Sequence, residues 1–195
     1  MDWKLLEIKQ NTDCPFLNHF TFLYEVKGKK HPYHVASRKD KEHLRVLTKS
    51  TDPDGVILLL KGKKNGEEAF ILTNEFRPAF GRVFTSIPAG LLESGEDIIE
   101  AASREAKEEV GVEITNAKLL IAPSSNSEGL SDEMCAVVTA DIASIEAATP
   151  EEFEDISSSL YTIKEIKKML DDPTRIFPLP CRILLSWMVD KYENR

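Results

Sequence analysis

Residues 90–112 read GLLESGEDIIEAASREAKEEVGV, and the stretch from Glu96 to Val110 is the strongest helix candidate in the chain, with Gly111 as its stop. On a helical wheel with Glu105 at the origin, Glu109 lies about 40° to one side and Glu108 about 60° to the other. The apolar positions Ile98, Ile99, Ala102, Ala106 and Val110 spread over roughly 20° to 140° of the same wheel. Asp97, Glu100, Arg104 and Lys107 occupy the opposite, solvated side. Glu105 and Glu109 therefore sit, i and i+4, at the edge of the core stripe beside small alanines. Taking two like charges partly out of water is costly unless a cation neutralises them. The helix by itself leaves two readings open. One is a charged helix with carboxylates at its apolar boundary. The other is a set of hard oxygen ligands for Mg²⁺ or Mn²⁺.

The spacing says more than the face. After Gly90, five residues intervene before Glu96 and seven more before Arg104-Glu105, then come Glu108-Glu109 and Gly111-Val112. This resembles the Nudix box, G-x5-E-x7-R-E-U-x-E-E-x-G-U, at every fixed position, with Ala106 as a small occupant of the first apolar slot. Seven specified residue types at fixed spacing arise by chance at a given site with odds of roughly 10⁻⁸.

Outward from the box, NEFRPAFGRVFTSIPAG (residues 74–90) resembles the ADP-ribose pyrophosphatase branch of the Nudix hydrolases, through Phe76-Arg77 and Pro88-Ala89-Gly90. The loop SEGLSDE (127–133) resembles that branch's SPG-x-S-D-E loop. Ser86 stands where many of these enzymes carry Glu, and Glu128 replaces the loop proline. The resemblance implies an α+β Nudix fold, a mixed β-sheet sandwiched between helices (α/β/α), with an N-terminal antiparallel β-sheet subdomain. The implied division is an N-terminal β-strand subdomain over 1–50, the expected dimer contact, and a Nudix hydrolase domain over 51–195 with the box at 90–112.

The resemblance also implies the chemistry: Mg²⁺-dependent hydrolysis of a nucleoside diphosphate linked to another moiety, ADP-ribose to AMP and ribose 5-phosphate first among them. Other NDP-sugars or nucleotide derivatives are the alternatives within the class. A Nudix-fold ligand-sensing module without turnover is the alternative outside it. By resemblance, Glu105 and Glu109 are the main metal ligands, Glu108 assists, and the Ala89 carbonyl is a further ligand. Mn²⁺ is the alternative ion. Glu96 holds the loop or touches an outer-shell water. Arg104 would orient the carboxylates, although i−4 to Glu108 it also fits an ordinary helix pair. Glu133 is the expected general base, with Glu128 as runner-up.

A guanidinium fork matches phosphate oxygens, so Arg77 is a candidate phosphate clamp, and Arg38 and Arg82 are weaker ones. The plain alternative for each is a surface ion pair. Trp3, Phe20, Phe22 and Tyr33 are available as base platforms, each more readily explained as core. The four histidines, at 19, 31, 34 and 43, carry no assigned chemistry, and Leu184, Trp187 and Met188 read as core.

Composition limits the alternatives. The 195 residues are enough for one domain with a proper core. With 25 Lys and Arg against 33 Asp and Glu the formal charge is −8, which repels nucleic acid and anionic membranes. Neither is expected as a partner; a nucleotide-sugar and a second copy of the chain are. Cys14, Cys135 and Cys181 form no metal-ligating cluster and read as reduced thiols. The run Val56 to Leu60 is far below the ~20 residues of a membrane helix, and no apolar signal core opens the chain, so the expected location is the cytoplasm.

The remaining elements follow from local pattern. Phe20–Val26 and Tyr33–Ser37 are expected to pair around KGKK. Val56–Leu60 and Ala69–Phe76 are expected to form a hairpin around a turn at 62–68. Residues 78–90 read as a bent segment. Strands are expected over 112–122 and 134–142, with a loop at 123–133. An acidic connection follows at 143–159, then helices over 163–170 and 181–192.

Overall fold

A computed structural model describes residues 2–146, 148 and 156–194. They form ten strands and four helices in two compact units. One unit comprises residues 1–54 with 123–135; the other comprises 55–122 with 136–195.

In the first unit, β1 (Trp3–Gln10), β2 (Asn18–Val26) and β3 (Lys29–Ser37) make an antiparallel sheet in the order β1-β2-β3. The expected 20–26/33–37 pair is present and longer, because Lys29 and Lys30 already belong to the strand and only Lys27-Gly28 turn. Phe20, Phe22, Val35 and Leu44 are its buried apolar centre. A 3-10 turn at Lys41–His43 and a one-turn helix α1 (Arg45–Thr48) follow.

In the second unit, β4 (Gly55–Lys64) and β5 (Glu67–Arg77) form the expected hairpin, but its turn shrinks to Asn65-Gly66. The strands run on through Gly62 because Lys61 to Lys64 pair with Glu67 to Phe70. The bent segment contains two short strands, β6 (Arg82–Ser86) and β7 (Ala89–Leu91), paired with β5 and β4. β8 (Val112–Ser125) and β9 (Met134–Ile145) are longer than expected. β10 (Ile156–Thr162) is a correction: residues 156–159 are expected in the acidic connection, yet the strand pairs antiparallel with β5 along its whole length. Residues 147 and 149–155 of that connection lie outside the described residues. The mixed sheet runs β10-β5-β4-β9-β8.

Strand periodicity explains the three layers. Along β4, Leu58 and Leu60 point to one face and Leu59 to the other; along β5, Ile71 opposes Phe70 and Leu72. One face is covered by α2 (Ile98–Val110) through Ala101, Ala102, Ala106 and Val110. The opposite face is covered by α3 (Ile163–Asp171) and α4 (Leu179–Glu193) through Ile166, Met169, Leu184, Leu185 and Met188. Strands buried on both faces carry a continuous apolar run, which is why VILLL could serve here. Trp187 corrects the expectation of core: it is 43% exposed, and Lys191 Nζ lies 4.7 Å from its ring.

Candidate active site

α2 starts two residues later than expected because Asp97 caps it. Asp97 Oδ1 accepts from the Ile99 N–H at 2.8 Å, and Glu100 Oε2 accepts from the Asp97 N–H at 3.2 Å, a capping box. Glu96 thus lies outside the helix. Gly111 ends it at φ 68°, in the left-handed region where glycine has no Cβ penalty.

The wheel placed Glu105 and Glu109 at the core edge, and that is where they lie. Glu109 is 8% exposed and the Glu105 side chain 15%, against 51% for Glu108. Glu109 Oε2 accepts a 3.0 Å hydrogen bond from the Ala89 N–H. The first residue of β7 is thereby fixed to the fourth turn of α2. Next along β7, Gly90 faces Glu105 so closely that a Cβ there would lie 1.8 Å from Glu105 Cδ.

Arg104 gathers the remaining carboxylates. Its Nε donates to Glu96 Oε1 and its Nη2 to Glu96 Oε2, both at 2.9 Å, a bidentate fork. Nη1 reaches Glu105 Oε1 at 2.9 Å and Glu108 Oε2 at 3.1 Å, and Nη2 also donates to the Leu91 carbonyl at 2.9 Å. Hydrogen bonding to Arg104 holds the Glu96 carboxyl below its ordinary range; slight burial opposes this, and the Glu93 N–H adds to it. The same contacts, Glu96 foremost, hold Arg104 above its ordinary value. Of the two roles left open for Glu96, the contacts are those of a loop holder.

Glu96, Glu105, Glu108 and Glu109 set four negative charges against the one charge of Arg104, a formal balance of 1 − 4 = −3. Only oxygen donors are present, which suits a hard divalent ion. Among the described residues no three Asp, Glu, His or Cys side chains already converge on one point, since Arg104 draws three of the glutamates to itself. The donor set fits Mg²⁺ by charge, chemistry and burial, and the Ala89–Glu109 bond fixes the backbone beside it.

The candidate phosphate-binding arginines divide between the units. Arg77, at the end of β5, pairs with Glu75 at 2.7 Å and is half exposed. Arg82 lies opposite Arg77 in the β5–β6 register. Ser86, also on β6, is buried and donates to the Ile87 carbonyl at 3.1 Å.

Arg38 belongs to the first unit and meets the candidate base. Its Nε donates to Glu133 Oε1 at 3.1 Å, while Asn126 Nδ2 donates to Glu133 Oε2 at 3.1 Å. Glu128 is exposed on the loop. A cavity of about 210 Å³ lies beside the Arg38–Glu133 pair, between Ser37 and Lys39 on one side and Leu130 to Asp132 on the other.

Sequence reading missed the groups that hold this loop. Arg45 donates to the Asp132 carbonyl at 2.7 Å and to Asp54 Oδ2 at 2.6 Å. Asp54 also accepts from Lys39 and, at 2.9 Å, from the Met134 N–H. Burial raises the Asp54 pKa, but the Lys39 and Arg45 hydrogen bonds outweigh it and leave it below the usual carboxylate value. No motif marks Arg45 or Asn126: Arg45 joins Asp54, 9 residues away, to Asp132, 87 residues away, and Asn126 meets Glu133 across the loop. Of the aromatic side chains available as base platforms, Phe20 and Phe22 are buried core as expected, Tyr33 donates to the Gly129 carbonyl at 3.1 Å, and Trp3 packs edge-on against Tyr24.

The family model described as "NUDIX domain" matches residues 51–179, about two thirds of the chain. The chain belongs to the NUDIX family. Among curated relatives, an ADP-ribose pyrophosphatase of Saccharomyces cerevisiae is 32% identical over 114 residues, 56% of this chain and 47% of that protein. The chain thus spans about half the length of that relative. Among solved structures, one described as an ADP compounds hydrolase superposes with a TM-score of 0.74, 18% identity and coverage of 98% of this chain and 94% of the other. That likeness shows the Nudix fold, and it extends to the N-terminal strands outside the family model's range.

Proposed function

We propose that this chain is a Mg²⁺-dependent Nudix pyrophosphohydrolase acting on a nucleoside diphosphate linked to another moiety, with ADP-ribose, cleaved to AMP and ribose 5-phosphate, as its preferred substrate. Glu109 carries the proposal: a nearly buried carboxylate, one turn from Glu105, bonded to the backbone beside Gly90. Arg104 already shares its one charge with Glu105, Glu96 and Glu108, and a divalent ion would offset the negative charge that remains. The yeast relative's name supports the choice of substrate.

In this account Glu105 and Glu109, with Glu108 and the Ala89 carbonyl, hold the ion. When bound, the ion would neutralise pyrophosphate oxygens and lower the pKa of a water molecule, which becomes a nucleophile toward phosphorus once it loses a proton. Arg104 spaces the glutamates and keeps Glu96 on the loop. Arg77 leaves Glu75 for a phosphate oxygen, exchanging one anionic partner for another, with Arg82 and Arg38 as further cationic contacts. Glu133 takes the proton of the attacking water once it separates from Arg38 and Asn126. The three free thiols accord with a reducing cytoplasm. A homodimer, with the N-terminal subdomain of residues 1–50 as its contact, completes the proposal and is tested by light scattering.

The substrate is tested by product analysis with Mg²⁺ over ADP-ribose, other NDP-sugars, NADH, FAD and dinucleoside polyphosphates. Release of AMP with the highest kcat/KM on ADP-ribose is expected. A higher value on another compound would move the substrate and leave the chemistry. No turnover of any compound with Mg²⁺ or Mn²⁺ would contradict the enzyme reading.

A further inference from the structure

The antiparallel register of β2 and β3 sets Thr21 opposite His34 and His19 opposite Ala36. His19 and His34 are therefore diagonal neighbours on one face, the outward one, since Phe20, Phe22 and Val35 fill the inward face. Their rings meet. His19 Nε2 lies 3.1 Å from His34 Nδ1, with ring centroids 5.2 Å apart, and Thr21 Oγ1 lies 3.3 Å from the same Nδ1.

Two imidazole nitrogens bound to one ion at 2.0–2.1 Å stand about 2.9 Å apart at a right angle and about 3.3 Å apart at the tetrahedral angle. The observed separation lies between these limits. Both side chains rise from paired strands, so the sheet hydrogen bonds fix their origins before any ion arrives. We propose that His19 and His34 form a two-imidazole site for a borderline divalent transition-metal ion, Zn²⁺ in the first instance.

Among the described residues no third His, Cys, Asp or Glu joins the pair, so solvent fills the remaining positions. A structural zinc site closes with four protein ligands; this one is open and exchangeable. In the ion-free pair, one ring N–H donates to the other ring's nitrogen. An ion accepts both lone pairs instead, and the displaced proton moves to the other nitrogen of its own ring. Imidazole ligands select Zn²⁺, Ni²⁺ or Cu²⁺ over Mg²⁺, so the site differs in chemistry from the all-carboxylate box.

The test is a Zn²⁺ titration of the tag-free full chain against a chromophoric chelator, in excess Mg²⁺ to keep the carboxylates loaded. One equivalent of Zn²⁺ is expected to bind at micromolar concentration. His19→Ala and His34→Ala should each weaken binding at least tenfold, while His31→Ala and His43→Ala bind as the parent does. Parent-like binding by both His19→Ala and His34→Ala would overturn the site, as would loss of binding in the two controls. Should the first pair of variants melt early, Co²⁺ added to the parent chain in excess Mg²⁺ provides the second measurement. Paramagnetic broadening centred on the His19 and His34 ring signals supports the site, and broadening centred elsewhere overturns it.

Discussion

A Cβ on residue 90 would lie 1.8 Å from Glu105 Cδ and 2.1 and 2.2 Å from its two carboxylate oxygens. Glycine at this position is therefore a requirement of the neighbouring carboxylate. Gly90→Ala must push Glu105 aside while leaving the apolar core untouched. A displacement of about 1 Å at a reacting centre costs on the order of 10²-fold. The variant is expected to lose about that much kcat/KM at fixed Mg²⁺ and to keep a parent-like melting temperature. Steady-state kinetics and calorimetry check both.

Arg104 pairs with Glu96, Glu105 and Glu108 at once. Arg104→Gln leaves these carboxylates to repel one another and frees the loop that Glu96 anchors through the Glu93 N–H. A loss of roughly 2–3 kcal/mol is expected in denaturant titration. Mg²⁺ should raise the melting temperature of the variant more than that of the parent, because the ion replaces the missing positive charge. An equal Mg²⁺ shift in both would separate Arg104 from the metal-binding carboxylates.

Glu133 is held by Arg38 and Asn126, one on each oxygen. A general base contributes about 10²–10⁴ in rate. Glu133→Gln is expected to lower kcat within that range, with little change in KM. Glu128→Gln should leave both unchanged. The reverse outcome would transfer the role to Glu128.

Asp54 is held below the ordinary carboxylate value: burial opposes this, and Lys39 and Arg45 prevail. A folded pKa below the unfolded one, about 3.9, means the stability is present above that pH and is lost as pH falls through the lower folded value. Acid should therefore loosen the first unit below about pH 4. Asp54→Asn should be destabilised by roughly 3 kcal/mol at neutral pH and show a flatter acid limb. Urea titrations between pH 7 and 3 measure this.

The acidic helix was legible because a period of 3.6 and a glycine stop are local; the capping box of Asp97 and Glu100, equally local, went unread, so the helix was expected two residues early. The same period sets Glu109 at the core edge, where it is buried. β10 was not legible, because ISSSLYT is no more strand-like than its neighbours until β5 offers an edge. Trp187 misled for a related reason: helical spacing gives a face, but only the packing partners decide which face is inward. The Arg45–Asp132 contact and the Arg38–Glu133 pair join residues 87 and 95 positions apart, and a single sequence holds no trace of such pairings.

The central claim is that Glu109 ligates the catalytic ion. In Glu109→Gln the amide oxygen can still accept from the Ala89 N–H, so the fold and the β7 attachment survive while the charge is lost. The decisive measurement is AMP release from ADP-ribose by parent and variant across a Mg²⁺ titration, alongside the melting temperature of each. The account predicts a fall of about 10³-fold or more in kcat/KM, a Mg²⁺ requirement moved to higher concentration and an unchanged fold. Parent-like activity and Mg²⁺ dependence in a folded variant would contradict it.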